Sequence, residues 1–165
     1  MTREQEQLLD DIGSLLSVRQ YNRRFLPKQS GAAELSPTEF VVLAVYEFHR
    51  QLFINGFDGF VFNTDGAFTD FLPVALTAVG ARRYALLARS AWEARGDTDG
   101  RFDARFFELI REEPYDDLLL AYVEAHRAEL PDPGLATREF FAQWEEDKQR
   151  WWAEKNRAEA AGPSP

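Results

Sequence analysis

Apolar residues recur at every third or fourth position through most of the chain, which is the spacing of one face of an α-helix. Between Thr2 and Val18 this pattern predicts a first helix, followed by a polar connection from Arg19 to Leu35. The apolar face of the first helix consists of Leu8, Leu9, Ile12, Leu15 and Leu16. The same spacing predicts further helices at about residues 36–54, 68–79, 81–94, 102–112, 114–130 and 136–158. Sustained alternation of apolar and polar residues does not occur, so we predict an all-α fold of about seven helices.

The second helix carries its own start and stop signals. Ser36 can accept from the first backbone N–H groups, Pro37 stands where no donor is needed, and Glu39 completes a capping box. At the other end, Asn55 and Gly56 form a typical helix stop. These signals predict a helix with defined ends at both sides.

The segment 57–66 is rich in Phe and Gly and allows two assignments. Alternation at residues 60–62 is compatible with a short strand, but a short helix that leads into a turn at 63–66 fits the Asx and Gly residues better. The turn also faintly resembles a calcium loop. That alternative fails because its first and last ligand positions would be Val61 and Leu72, which carry no side-chain oxygen.

We predict a single domain over residues 1–159 with a frayed tail at 160–165, because no linker or repeat interrupts the pattern. The last helix carries a stripe of indoles, at Trp144, Trp151 and Trp152. Indoles at helical spacing usually belong to a core, so we expect the stripe to clamp this helix onto the domain. A homodimer interface, or a partner-binding apolar surface that includes Phe141, remains an alternative.

The composition excludes several classes of function. The chain has 165 residues, no cysteine and a net charge of −9, so thiolate nucleophiles, disulfides and cysteine zinc sites are absent. Like charge repels phosphate, which argues against direct binding of nucleic acid or of an anionic membrane. The polar, acidic start of the sequence and the lack of an apolar run of roughly 20 residues predict a cytoplasmic protein. A basic protein surface is the partner class that the charge favours.

The negative charge is concentrated in one part of the sequence. Residues 1–92 carry a net charge of −1, residues 93–147 carry −10, and residues 148–165 carry +2. Within the acidic block carboxylates recur four residues apart, which spaces them by about 6 Å along a helix. Two helices with such rows would form an anionic ladder comparable in charge density with duplex DNA. The predicted partner-binding residues are Asp99, Asp103, Glu108, Glu112, Glu113, Asp116, Asp117 and Glu124.

A plainer interpretation of the same block is solvated helix surface. Acidic helix faces are usually exposed to water, and the interleaved Arg101, Arg105 and Arg111 can neutralise part of the ladder. The two interpretations differ in geometry, since a binding surface requires the carboxylates to form one continuous ridge.

Catalytic and metal-binding chemistry is sparse. His49 and His126 are the only imidazoles, and neither has a partner at metal-ligand spacing. His126 lies on an apolar helix face and is expected to be hydrogen-bonded and largely buried. No nucleophile elbow, P-loop, dinucleotide fingerprint or zincin motif occurs. A hydrolase with a carboxylate pair remains an alternative, but the acids lie on hydrophilic faces that would not raise a pKa. We therefore expect no enzyme activity, no cofactor and no metal.

Residues 51–66, with the sequence QLFINGFDGFVFNTDG, resemble a bacterial family: the domain of unknown function shared with the DNA-mimic proteins. That family carries an acidic residue, an Asn-Gly-Gly-Phe stretch, aromatic residues, Asn and Gly in this order. Residues 76–81 and 102–130, the latter with a Tyr-Asp-Asp-Leu element, are similar to its later parts. The resemblance spans about residues 38–130.

The sequence departs from the family pattern at several motif positions. Gln51 stands where an acid is expected, and apolar Phe53 and Ile54 replace polar residues. Asn55-Gly56 stands where the family often has Gly-Gly. These changes affect roles that depend on the polar groups of the motif, and they leave the expected fold intact.

The resemblance implies an all-α fold and no enzyme activity. For at least one member it also implies mimicry of the charge of DNA, by which a DNA-binding transcription factor is sequestered. The partner expected on this basis is a basic DNA-binding protein, with regulation of transcription as the role. The motif positions are expected to be structural, through ring packing and a fixed turn: Asn55, Gly56, Phe57, Phe60, Phe62, Asn63, Gly66 and Gly80.

Overall fold

The computed structural model describes residues 1–25, 34–64, 66, 68–94 and 100–160. Within these ranges the chain forms helices and turns and no β-strand, which confirms the all-α prediction. The described helices are α1 (Arg3–Phe25), α2 (Pro37–Asn63), α3 (Leu72–Ala78), α4 (Arg82–Glu93), α5 (Arg101–Glu112), α6 (Tyr115–Ala125) and α7 (Arg138–Ala160). Two short 3-10 turns, Arg127–Glu129 and Pro133–Leu135, connect α6 to α7.

Some sequence-based predictions fall outside these ranges. They concern the site residue Asp99, most of the connection after α1, and the end of the tail, residues 161–165. Among the helices that are described, none is long and apolar enough to cross a membrane.

The central helix, α2, begins at the predicted capping box. The Ser36 hydroxyl accepts the N–H of Glu39 at 3.1 Å, and Glu39 Oε2 accepts the N–H of Ser36 at 2.8 Å. From there α2 buries residues 41–45, Phe48 and Leu52. It contacts α1, α3, α5 and α6, so it positions the two helices that carry the acidic block.

A kink at Gly56 divides α2 into two parts. Gly56 has φ 69° and ψ −174°, a conformation that is essentially restricted to glycine. The predicted helix stop at this point is only a bend, because the helix resumes and continues to Asn63. The short helix favoured for this segment is therefore confirmed, and the strand alternative is wrong. Asn63 Nδ2 donates to Gln51 Oε1 at 2.7 Å, whereas a straight helix would separate these residues by about 18 Å.

Aromatic rings from four helices meet at the centre of the core. Phe48 lies 5.4 Å from Phe60 and 5.2 Å from Phe106 between ring centroids, in both cases edge to face. Tyr115 packs on Tyr84 at 4.9 Å. All five rings are buried, and such arrangements stabilise a core beyond the burial of area alone. They fix α4, α5 and α6 against α2.

The first helix is longer than predicted, and its additional residues contact the last helix. It continues well beyond the predicted end, to Phe25. Its added turns present Tyr21 and Asn22 to α7: Trp152 Nε1 donates to the Tyr21 hydroxyl at 2.7 Å, and Trp144 Nε1 donates to Asn22 Oδ1 at 3.0 Å. These contacts confirm the predicted clamp for Trp144 and Trp152.

Three further details differ from the sequence-based predictions. α3 begins at Leu72, a turn later than predicted, because residues 68–71 form hydrogen-bonded turns of their own. α6 ends at Ala125 and passes into a 3-10 turn before the predicted end. Phe62, for which ring packing was expected, is 85% exposed, because it lies on the side of its helix segment opposite the buried Phe57 and Phe60.

Candidate partner-binding surface

Helices α5 and α6 turn their acidic faces to solvent because their apolar faces are buried. Phe106 and Leu109 of α5 lie in the core, as do Leu119 and Val123 of α6. Four of the predicted partner-binding residues are exposed on the outward sides, and we call them the outer carboxylates: Glu108, Glu112, Asp117 and Glu124. The two on α5 are four residues apart and the two on α6 are seven apart, so each pair shares one helix face, with spacings of about 6 and 10 Å.

Two arginines neutralise part of this acidic surface. Arg83 of α4 donates to Glu112 at 2.6 Å and approaches Glu113 at 3.7 Å. Arg105 donates to Glu108 at 2.7 Å. The hydrogen bond from Arg83, together with its charge, holds the pKa of Glu112 below its usual value. The paired side chains of Arg83 and Arg105 are about half exposed, and exposed ion pairs of this kind contribute little energy.

The outer carboxylates on α6 are more open. Asp117 is 59% exposed and lies 3.7 Å from the amino group of Met1. Glu124 is exposed and forms no ion pair with any residue that the structure describes. The outer carboxylates therefore comprise two arginine-paired groups on α5 and two more available ones on α6.

Two other predicted partner-binding carboxylates make contacts inside the fold. Asp103 Oδ1 accepts the N–H of Phe57 at 2.8 Å and so caps the part of α2 that restarts after the kink. Asp116 Oδ1 lies 2.7 Å from His49 Nδ1. No hydrogen bond at that nitrogen is aligned, so the two side chains are in close contact without a directed bond. Both carboxylates are less available to a partner than the outer carboxylates.

A cleft of about 270 Å³ opens beside the contact between His49 and Asp116. It is lined by Met1, Glu6, Leu9, Asp10, Tyr46, His49, Asp116 and Leu119. Burial raises the pKa of Asp10, and the charge of His49 opposes that rise. Nothing in the sequence marks this cleft, because Asp10, His49 and Asp116 lie far apart along the chain and meet only through the packing of α1, α2 and α6.

A second cleft, of about 380 Å³, lies between α1, α2 and α7. Aromatic side chains, among them Tyr21, Tyr46 and Trp144, form part of its walls. The buried carboxylate at its base, Glu47, already accepts hydrogen bonds from Ser17 and from Arg50. The charges in this cleft are therefore balanced within the protein.

Within the described ranges no three His, Asp or Glu side chains are arranged to hold a metal ion. His126 is half-buried, its Nδ1 lies 2.9 Å from the carbonyl oxygen of Tyr122, and its ring stacks on Tyr122 at 4.1 Å. This histidine is hydrogen-bonded as expected, and it is more exposed than expected.

The motif residues gather around Gln51. Its side-chain oxygen accepts from Asn55 at 3.0 Å and from Asn63 at 2.7 Å, and the residue is buried. A carboxylate at this position would accept the same two amide groups, so the departure from the family pattern preserves the acceptor. Gly66 and Gly80 have positive φ angles of 68° and 89°, which places them at turns.

Consecutive helices with outward carboxylates on an aromatic core define a small all-α protein whose clearest surface feature is acidic. A family model described as DMP19-like protein matches residues 33–129, more than half of the chain. The chain belongs to the DMP19-like family, which is the DNA-mimic family. The match covers α2 to α6 and leaves α1 and α7 outside. No curated protein and no solved structure matches the chain.

Proposed function

We propose that this protein is a non-enzymatic, acidic protein-binding module that acts as a DNA mimic. Its partner would be a transcription factor or another nucleic-acid-binding protein, whose basic DNA-binding surface it occupies. The observation that carries the proposal is the placement of the outer carboxylates on the solvent side of two consecutive helices. Membership of the DNA-mimic family supports it.

The recognition chemistry follows from charge. Lysine and arginine side chains that contact phosphates can contact carboxylates at comparable spacing. Arg83 and Arg105 hold Glu112 and Glu108 through half-exposed pairs, and basic groups of a partner can compete with them because such pairs are weak. Complementary charge accelerates association and is screened by salt, so the complex should weaken as ionic strength rises.

The test begins with capture of the partner through the surface itself. A photoreactive residue at Ala121, which is exposed between Asp117 and Glu124, should crosslink a DNA-binding protein in the native cell. The captured protein, once purified, should bind either duplex DNA or this protein, and the two should compete. A captured protein that binds both together would contradict the proposal.

A matched pair of variants then assigns the binding to the outer carboxylates. The first variant neutralises them as Glu108→Gln, Glu112→Gln, Asp117→Asn and Glu124→Gln. The control removes four other exposed charges, as Glu4→Gln, Glu139→Gln, Glu146→Gln and Glu154→Gln. We expect the first to weaken binding by about a hundredfold and the control by much less. Equal losses would show that net charge alone is responsible.

One observation favours a different function, a hydrolase with a carboxylate pair. The cleft at His49 is concave, gathers Glu6, Asp10 and Asp116, and includes a carboxyl group with a raised pKa, which suits a general acid. Chromogenic ester and glycoside substrates test this alternative. Turnover that is lost in Asp10→Asn and kept in the outer-carboxylate variant would favour the hydrolase.

A second alternative is an adaptor that binds through apolar surface. Trp152 is half-buried and donates a hydrogen bond to α1, whereas Phe53 and Phe107 form an exposed pair with ring centroids 5.6 Å apart. A complex made through this pair would be insensitive to salt and would be weakened by Phe53→Ser.

A further inference from the structure

The outward face of α4 is basic in a chain whose net charge is negative. The helix carries three arginines and a single acid, Glu93. Its inward face buries Tyr84 and small alanine side chains, at positions 85, 88 and 91. The arginines are consequently left on the solvent side, where Arg82, Arg83 and Arg89 are all exposed.

Two of these arginines have no partner within the part of the chain that the structure describes. Arg82 and Arg89 form neither an ion pair nor a side-chain hydrogen bond there. They are seven residues apart, so they share one face of α4 with a spacing of about 10 Å. Leu86 lies between them on the same face and is 65% exposed. This arrangement differs from that of Arg83, which is paired with Glu112.

A groove runs beside this stripe, between α4 and α5. Its volume is about 280 Å³, and it is lined by Arg83, Leu86, Leu87, Ser90, Arg105 and Leu109. Leu86 and Leu87 supply an apolar wall on α4, and Leu109 supplies one on α5. Arg83 and Arg105 stand at its edges, each paired with an outer carboxylate. Those pairs mark the border between the basic groove and the acidic surface.

We propose that this groove and the α4 stripe form a second docking surface, which binds an acidic amphipathic helix of a partner protein. Apolar side chains of that helix lie in the groove against Leu86. Carboxylates seven residues apart on the helix meet Arg82 and Arg89, since two turns of a helix match their spacing. Charge complementarity identifies the occupant, and this site is additional to the acidic surface of the proposed function.

The exposed apolar side chains distinguish this occupant from a phosphate-bearing one. Leu86, between the two arginines, is 65% exposed, and Trp92, which follows Arg89 on α4, is 41% exposed. A nucleic-acid backbone would leave both in water, whereas the apolar face of a helix would cover Leu86. An anionic lipid surface would also cover both side chains, so the experiment includes lipid vesicles.

The test uses a designed peptide and the whole protein. The peptide is a fluorescent amphipathic helix with Leu on one face and Glu seven residues apart beside it, and its matched control carries Gln in place of Glu. Binding is followed by fluorescence anisotropy, and the site is mapped by amide chemical shifts. We expect shifts confined to α4 and α5, weaker binding of the Gln peptide, and a loss of affinity of about tenfold in the Arg82→Ala, Arg89→Ala variant.

Matched variants separate a specific site from general charge. Arg111→Ala with Arg138→Ala removes two other exposed arginines that have no ion pair among the described residues and should leave binding unchanged. Leu86→Ser should weaken binding without affecting the fold, because the side chain is mostly exposed. The variant that neutralises the outer carboxylates should still bind the peptide. A loss of binding at the acidic surface can therefore be distinguished from a loss of binding at the groove.

Three results would overturn the proposal. The first is absence of peptide binding, or binding that Arg82→Ala with Arg89→Ala leaves intact. The second is equal affinity for the Glu and Gln peptides. The third is binding through these arginines to phosphatidylserine-containing vesicles or to duplex DNA in preference to the peptide, which would assign the stripe to phosphate groups.

Discussion

The carboxylate of Asp103 accepts the backbone N–H of Phe57 at 2.8 Å and so joins α5 to the kink of α2. Gly56 lies directly against it, because a Cβ at that position would overlap Oδ2 of Asp103. An acid of the charged block is thus part of the fold, and it fixes the position of the helix that carries Glu108 and Glu112.

Removal of this carboxylate should destabilise the protein. Asp103→Ala leaves the N–H of Phe57 without its acceptor, and the loss of such a helix cap typically costs about 1 kcal/mol. Asp103→Asn retains an acceptor oxygen and should cost less. Urea unfolding followed by circular dichroism measures both variants. Equal stability of Asp103→Ala and the parent protein would contradict the capping role.

Substitution of Gly56 should be more severe. Gly56→Ala places a Cβ in a backbone conformation with φ 69° and against Asp103, so we expect a loss of more than about 1 kcal/mol. In an Asp103→Ala background the steric overlap disappears and only the backbone strain remains. The two substitutions should therefore be non-additive, and a double-mutant cycle of unfolding free energies checks this. Strict additivity would show that the two positions are not coupled.

Alkaline pH should destabilise the protein through its buried tyrosines. Burial raises the pKa of Tyr84 and of Tyr115 above the usual value for tyrosine. The folded state therefore keeps these protons while the unfolded chain releases them, so stability is full below about pH 10 and falls as pH rises beyond it. The absorbance of tyrosinate from these two residues should appear over the same pH range in which the helicity of the protein is lost. Ionisation of both without unfolding would contradict the expectation.

The cleft carboxylate Asp10 should destabilise the folded protein at neutral pH. Burial raises its pKa, so the folded state favours the protonated form and the ionised form weakens folding once the pH exceeds that pKa. Asp10→Asn should therefore raise the melting temperature at pH 7, and the gain should vanish at a pH below the usual carboxyl pKa of about 4. Glu4→Gln, which removes an exposed acid on the same helix, serves as the control. A gain that persists in acid would have another cause.

Attachment of α7 should depend on the indole N–H groups. Trp144→Phe and Trp152→Phe each remove one hydrogen bond to α1, worth about 1 kcal/mol. Hydrogen exchange should accelerate in α7 and remain slow in the core of α2, because only the outer helix loses contacts. Trp92→Phe, on the exposed side of α4, is the matched control. Uniform acceleration through the whole chain would show that α7 is part of one cooperative unit.

Features that depend on neighbouring residues could be predicted from the sequence. The capping box at Ser36 and Glu39 involves residues three apart, and its hydrogen bonds are present as expected. The kink at Gly56 is predicted only as a helix stop, because the carboxylate that lets the helix resume belongs to Asp103, 46 positions beyond Phe57. Contacts of this range depend on how whole helices pack, and the spacing of residue types along the chain does not encode them.

The candidate surfaces also depend on helix packing, which limits what the sequence can predict about them. The outer carboxylates could be located from their helical spacing, but the internal roles of Asp103 and Asp116 could not, since both depend on partners on α2. The basic stripe of α4 could not be predicted, because the near-neutral charge of residues 1–92 averages Arg82 and Arg89 with distant acids. Charge has to be assigned to faces, which requires knowing which side of a helix is buried.

The two amide groups that meet at Gln51 bear on how relatives of this protein can be recognised. The position needs an acceptor oxygen for Asn55 and Asn63, and glutamine and glutamate both provide one in the same place. Exchange between glutamine and glutamate changes the charge by one unit and preserves both hydrogen bonds. This position can therefore vary during evolution without loss of the kink that follows it. Asn55, Asn63 and Gly56 should accordingly identify distant members of the family better than an acid at position 51.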